Sequence, residues 1–308
     1  MGIWDWLRRI FGGGGAAPAE PWPGMGPEHT VSPETAIELL RQTEFSHLAP
    51  ELEPLMRPAI HLTPAPLEPD DLPMGASRLG GPADLPPGTE WPRREQRPLA
   101  LLVQLRLSEA SEYDAEGVLP QSGLLWFFYD AVEQPWGMGP ADADAWRVIF
   151  SEAEEGLVRV DPPDDLDEWA HFAPHAAQMR TIATFPSWQT LEEFSTVEFA
   201  HDGEAEYYME WLASITGGEM SERTWLLGWP EEIQGDVHAE LVFYGSRPGE
   251  SGPPDPGLPT DWRLLLQVDS MQAPQWMWGD AGMLYFMIRT EDLAARRFEE
   301  VWLDLQCY

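Results

Sequence analysis

The sequence contains no lysine, and all 18 of its basic residues are arginine. That absence excludes a Walker-type phosphate loop, a Schiff-base enzyme and a lysine general base, each of which needs the ε-amine. Positive charge is scarce altogether: 53 acidic residues against 18 basic ones give a formal net charge of −35. Such a chain is poorly suited to neutralising a nucleic-acid backbone. A single cysteine, Cys307, cannot form an internal disulfide, which fits a reducing, cytoplasmic setting and a buried structural thiol. Apolar runs long enough to span a membrane are also missing. The acidic charge is spread, with no run of five like charges, so it does not form an acidic tail. It thickens over residues 181–222, where arginine is absent. A face of that kind steers a basic protein partner, or simply keeps the surface solvated.

What the chain has in quantity is tryptophan (16 residues) and a hydrophobic fraction of 43%, the composition of a folded protein with a sizeable core. The 31 prolines and 27 glycines indicate many short elements joined by rigid turns. One pattern occurs twice. An apolar strand carrying a glutamine (Gln104 at 98–105, Gln267 at 262–269) is followed by a glycine (Gly123, Gly282) that opens an aromatic strand. A Leu-Gly turn precedes each copy, at Leu79-Gly80 and Leu227-Gly228. The chain therefore reads as two diverged repeats, about 59–160 and 223–308.

Period-two alternation marks half-buried strands at 99–107, 237–244, 262–269 and 301–307, whereas 124–129 and 283–288 are apolar on both faces and read as central strands. Prolines make 59–63 an edge strand. Ser32 caps a helix at Pro33 with Ala36, Ile37 and Leu40 inward, and further helices are expected at 189–195, at 204–216 ended by Gly217, and at 291–298 capped by Thr290. The fold class is α+β, mostly antiparallel sheets from two internal repeats with a few short helices. It forms one domain over 31–308 behind a flexible extension, 1–30. Within that extension Ile3, Leu7 and Ile10, flanked by Trp4, Trp6 and Phe11, give a short amphipathic helix. Tethered by Gly12 to Gly15, it suits weak docking on a membrane surface or in a partner groove; the alternative is a frayed or self-docked terminus, because so short a helix is marginal alone in water.

Catalytic groupings are hard to assign. His171 and His175 have helical spacing, but Pro174 intervenes and no zincin glutamate follows. Ser77 and Ser270 lack the glycines of a nucleophile elbow, and no Ser/His/Asp triad emerges. On a strand, Asp236, His238 and Glu240 would project from one face as three metal-type ligands, or as an ordinary solvent face. The remaining polar set is Gln104, Gln234, Asp236, Gln267, Asp269 and Asp280. If the repeats pack about a pseudo-twofold axis, Gln104 and Gln267 become equivalent and line a cleft walled by Trp229, Trp276 and Trp278. The alternative is that these groups cap turns and satisfy buried backbone.

Taken together, Ser77-Arg-Leu-Gly-Gly-Pro82, Leu227-Gly-Trp-Pro230, Ile233-Gln-Gly-Asp236, Leu265-Leu-Gln-Val-Asp-Ser270 and Trp278-Gly-Asp-Ala-Gly282 resemble the bacterial YwqG-like family from about residue 59 onward. The resemblance implies an α+β fold with no established activity, cofactor or catalytic residues, and an association with toxin–immunity gene neighbourhoods. The expectation is a non-enzymatic cytosolic binding protein that engages a protein partner through an acidic surface, in the manner of an immunity protein, and needs no cofactor. The rival expectation is a small-molecule-binding protein or enzyme using acidic residues of an inter-repeat cleft.

Overall fold

Proline placement shapes the centre of the sheet. In the computed structural model, which describes residues 30–67, 72–217, 222–245, 253, 256–271 and 273–308, the first strand, β1 (Arg57–Pro66), is not the expected edge. It lies between β10 (His175–Thr184) and β11 (Trp225–Leu227), antiparallel to both. Alternate residues of a strand bond to alternate neighbours, and the Leu62 N–H is directed to the Thr224 carbonyl on the β11 side. Pro58, Pro64 and Pro66 share that parity. Among the described residues β11 pairs only with Ala59 to His61, so the prolines' missing donors fall outside that ladder.

Around this pair the sheet extends in both directions. Beyond β11 come β12 (Trp262–Asp269), β13 (Met283–Arg289) and β14 (Trp302–Gln306). Beyond β10 come β2 (Arg78–Leu79), β6 (Ala100–Arg106), β7 (Leu124–Tyr129) and β8 (Trp146–Ser151). The ten strands run in the order β14-β13-β12-β11-β1-β10-β2-β6-β7-β8 and are antiparallel throughout. Two small ribbons accompany them: β3 (Ala83–Leu85) with β9 (Val158–Val160), and β4 (Arg93–Arg94) with β5 (Arg97–Pro98). The architecture is α+β.

The two flanks share local geometry. Each has a register irregularity two residues before its glutamine, at Leu102 in β6 and Leu265 in β12. Gln104 then faces Trp126 across the ladder, and Gln267 faces Tyr285. The sheet curls so that its ends meet. Trp146 of β8 packs edge-on against Trp302 of β14 at 5.0 Å and donates from its indole to the Val301 carbonyl at 2.8 Å. Phe127 and Phe286, which hold matching places beside the two glutamines, touch at 5.4 Å. One continuous core therefore runs through both flanks. The outer edge of β14 is covered by a loop, where Trp136 O accepts from Leu305 N and Gly137 O accepts from the Trp302 indole. This contact removes an exposed pairing edge.

A second core sits under helices Pro33–Leu40, Ala49–Leu52 and Asp202–Thr216, where Phe45, Phe185, Tyr208 and Trp211 pack together. Ser32 caps the first of these helices as expected, and Gly217, at φ +94°, ends the last. Helix Trp188–Phe194 starts at the Ser187 cap. The helix expected at 291–298 is shorter, Thr290–Ala294, with Arg289 as its N-cap residue in place of Thr290. The larger correction concerns 237–244. It is not a strand but part of the helix Val237–Gly245. Its alternation of Val, Ala and Leu with polar residues mimics a strand. Asp236, however, accepts the N–H groups of His238 and Ala239 and starts a helix instead. The expected amphipathic segment at 2–11 lies outside the described residues. Among the described residues no helix is long and apolar enough to cross a membrane.

Candidate functional site

The two glutamines meet packed protein, not an open cleft. Gln104 is fully buried. Its oxygen accepts from Asp84 N (2.8 Å), Trp126 Nε1 (2.8 Å) and Arg78 Nη2 (3.0 Å), and its amide donates to Ala76 O (2.9 Å). Gln267, equally buried, accepts from Glu231 N and donates to Arg223 O, both at 2.8 Å. Each side chain ties a turn onto its strand.

Two buried carboxylates sit beside them. Asp84 is bound by Arg78 at 2.8 Å and by Arg159 at 2.8 Å. Burial opposes its ionisation, but the two guanidiniums hold its carboxyl well below the ordinary range. Asp269 accepts from Arg223 N (3.0 Å) and Nε (3.1 Å), while Arg223 also pairs with Glu231. Trp278, its indole bonded to Asp269 O, is buried, as are Trp229 and Trp276. Asp280 and Gln234 are exposed. Gln234 is fixed through its backbone to Gln306 Oε1, whereas the Asp280 carbonyl accepts from Tyr308 N. Of the predicted set, Gln267, Asp269 and Trp278 are linked through Arg223 and the Asp269 carbonyl, whereas Gln104 is tied separately to Asp84, Trp126, Arg78 and Ala76. A depression of about 340 Å³ between β8 and β14, lined by Trp146, Arg147, Trp262, Arg289, Glu299 and Trp302, contains none of it.

What does gather is a group that sequence reasoning found only in part. On a helix the expected face of Asp236, His238 and Glu240 breaks up, because successive residues are turned by ~100°. The Glu240 carboxylate goes instead to Gln306 Nε2 at 3.3 Å. Its place is taken by Glu232 from the loop after β11: one ligand-type atom each of Glu232, Asp236 and His238 lies within 4.8 Å of the others. Glu232 accepts from the Ser187 hydroxyl, from Thr190 Oγ1 at 3.0 and 3.1 Å and from Val237 N at 3.0 Å. It thus bridges the starts of two helices. Asp236 Oδ1 lies 3.2 Å from His238 Nδ1. Phe194 and Trp229 close on the imidazole edge-on, with ring centres 5.1 and 5.9 Å away.

The electrostatics are divided. Burial, followed by the charge of Asp236, pushes the Glu232 carboxyl well above its usual range. Burial acts on Asp236 too, but the hydrogen bond and charge of His238 outweigh it and hold that carboxyl below its usual range. Nearby, Asp304 is raised well above the ordinary value by burial and by the charge of Glu240. The sequence signal for Glu232 was weak, since nothing in Glu-Glu-Ile-Gln-Gly-Asp distinguishes an inward carboxylate from an outward one.

The model of a family described as a domain of unknown function, DUF1963, matches residues 77–307. No curated protein matches the chain.

Proposed function

We propose, for a chain that belongs to the DUF1963 family, a non-catalytic role as a cytosolic binding protein that engages a basic protein partner through its acidic surface. The supporting observation is how positive charge is used. Among the described residues, eleven arginines (41, 78, 93, 94, 97, 106, 159, 223, 263, 296 and 297) are ion-paired to the protein's own carboxylates. Internal pairing leaves the large surplus of carboxylates uncompensated. Within the arginine-free segment 181–222, Glu193, Glu198 and Glu206 are exposed. The same segment exposes two aromatic side chains, Trp188 (41% exposed) and Tyr207 (45%). Exposed acidic groups supply long-range steering, and exposed Trp and Tyr supply anchoring area.

The YwqG-like resemblance extends this reading to an immunity-type neutraliser of a basic toxin. The same reading includes an origin by duplication of halves 59–160 and 223–308, supported by the matched irregularities at Leu102 and Leu265 and the contact of Phe127 with Phe286. The rival reading, a catalytic cleft using Asp236, Asp269 and Asp280, has less support. Asp269 is held by Arg223, and Asp280 is exposed. Capture from the native lysate at low and high salt tests the proposal. A basic protein retained at low salt and released at high salt is expected, and recovery of no partner at either salt counts against it.

A further inference from the structure

We propose that Glu232, Asp236 and His238 bind a divalent transition-metal ion, with one oxygen of each carboxylate and one imidazole nitrogen as ligands. Three observations carry this. The donor atoms converge from a loop, a helix cap and the first turn of a helix to within 4.8 Å of one another. Two polar atoms of the same side chains are buried and have no partner: Asp236 Oδ2, in a residue 9% exposed, and His238 Nε2, in one fully buried. Buried polar atoms are ordinarily paired, and an unpaired one in a native fold points to a missing water or ion. Finally, Glu232 is already oriented by Ser187, Thr190 and Val237 N, the kind of outer-layer support that metal-ligating carboxylates have.

Donor chemistry selects the ion. Two carboxylate oxygens and one imidazole suit Zn²⁺ and its first-row neighbours. Ca²⁺ and Mg²⁺ take oxygen ligands, in larger number or with retained water. Metal–ligand bonds of ~2.0–2.2 Å place tetrahedral ligands ~3.4 Å apart, a spacing compatible with donor atoms that lie within 4.8 Å of one another. A dication also relieves the juxtaposition of the Glu232 and Asp236 carboxylates. Phe194 and Trp229 shield one side of the imidazole, and a fourth position is left for water or a ligand from a partner.

The test uses the full chain stripped with a chelator and dialysed, then titrated with Zn²⁺, Mn²⁺, Mg²⁺ or Ca²⁺ alone by calorimetry and thermal denaturation. One Zn²⁺ per chain and a rise in melting temperature are expected, with Mg²⁺ and Ca²⁺ without effect at equal concentration. Asp236→Asn, which keeps the helix cap, and His238→Gln should each weaken Zn²⁺ binding at least tenfold, while Glu240→Gln leaves it unchanged. Unaltered affinity in Asp236→Asn and His238→Gln, or no saturable site, overturns the assignment. If those variants fail to fold, the wild-type protein loaded with Co²⁺ decides: visible absorption typical of a low-symmetry nitrogen and oxygen site supports it, and the spectrum of aqueous Co²⁺ refutes it.

Discussion

Replacing Gln104 by leucine distinguishes a structural tie from a ligand contact. In the folded protein the Gln104 oxygen is the acceptor for Asp84 N and Trp126 Nε1, both at 2.8 Å. Arg78 Nη2 also reaches it but keeps its bond to the Pro82 carbonyl. Leucine therefore strands two buried donors, each costing about 1–3 kcal/mol. It also leaves Ala76 O without its amide partner. The expected loss is about 4 kcal/mol, a large share of the ~5–15 kcal/mol that stabilises a typical domain. For a chain of this size that corresponds to a drop in melting temperature of roughly 6 °C. Chemical denaturation with matched thermal scans measures it, and Gln121→Leu, at an exposed position, is the control, expected to stay within about 0.5 kcal/mol. A Gln104→Leu protein as stable as the control would refute the reasoning and return this residue to the list of ligand contacts.

Three further outcomes follow from the same contacts. His61 is 2% exposed and donates from Nε2 to Glu222 O at 2.6 Å, and burial, reinforced by the charge of Arg180, brings its pKa down to about 4. Between pH ~6.5 and 4 the unfolded chain binds a proton that the native state refuses, so stability falls as the pH falls, by about 3 kcal/mol in full. The pH dependence of wild type minus His61→Gln should show that slope, and parallel curves would contradict it. A side chain on Gly137 would collide with the Leu303 carbonyl at a residue whose φ is +79°. Gly137→Ala should therefore cost about 2 kcal/mol or more and uncover β14, read as lower stability and concentration-dependent association in sedimentation. Arg78→Met leaves the fully buried Asp84 with only Arg159 as its guanidinium, a loss of about 3–5 kcal/mol by denaturant titration, and near-neutral stability would argue against a structural role for the pair.

The sheet was legible where one physical signal acted alone. Residues 262–269 and 283–288 read as strands because their patterns had no helical competitor, and Ser32-Pro33 read as a helix start because both residues suit it. Signals failed where two elements or two roles share a pattern. Over 237–244 the alternation of a strand and the buried stripe of a short helix coincide, and only the Asp236 side chain settles which forms. The prolines of β1 announced an unpaired side, and the sequence could not show that β11 would be too short to need their donors. Gln104 and Gln267 were identified as equivalent polar groups, yet whether such a group faces a cavity or a backbone turn depends on loops such as 228–236 packing over the strand. Glu232 enters the cluster through contacts with Ser187 and Thr190, some 40 residues away, a relation no local pattern encodes.

Binding by the arginine-free acidic face is the central functional claim, and charge removal on that face tests it most directly. Glu193→Gln, Glu198→Gln and Glu206→Gln combined alter exposed carboxylates only and should leave the melting temperature near that of the parent. Quantitative capture from the native lysate is then compared for the two proteins at low salt. Loss of the partner from the triple variant is the result the account requires; the same partner, bound equally by both, would contradict it.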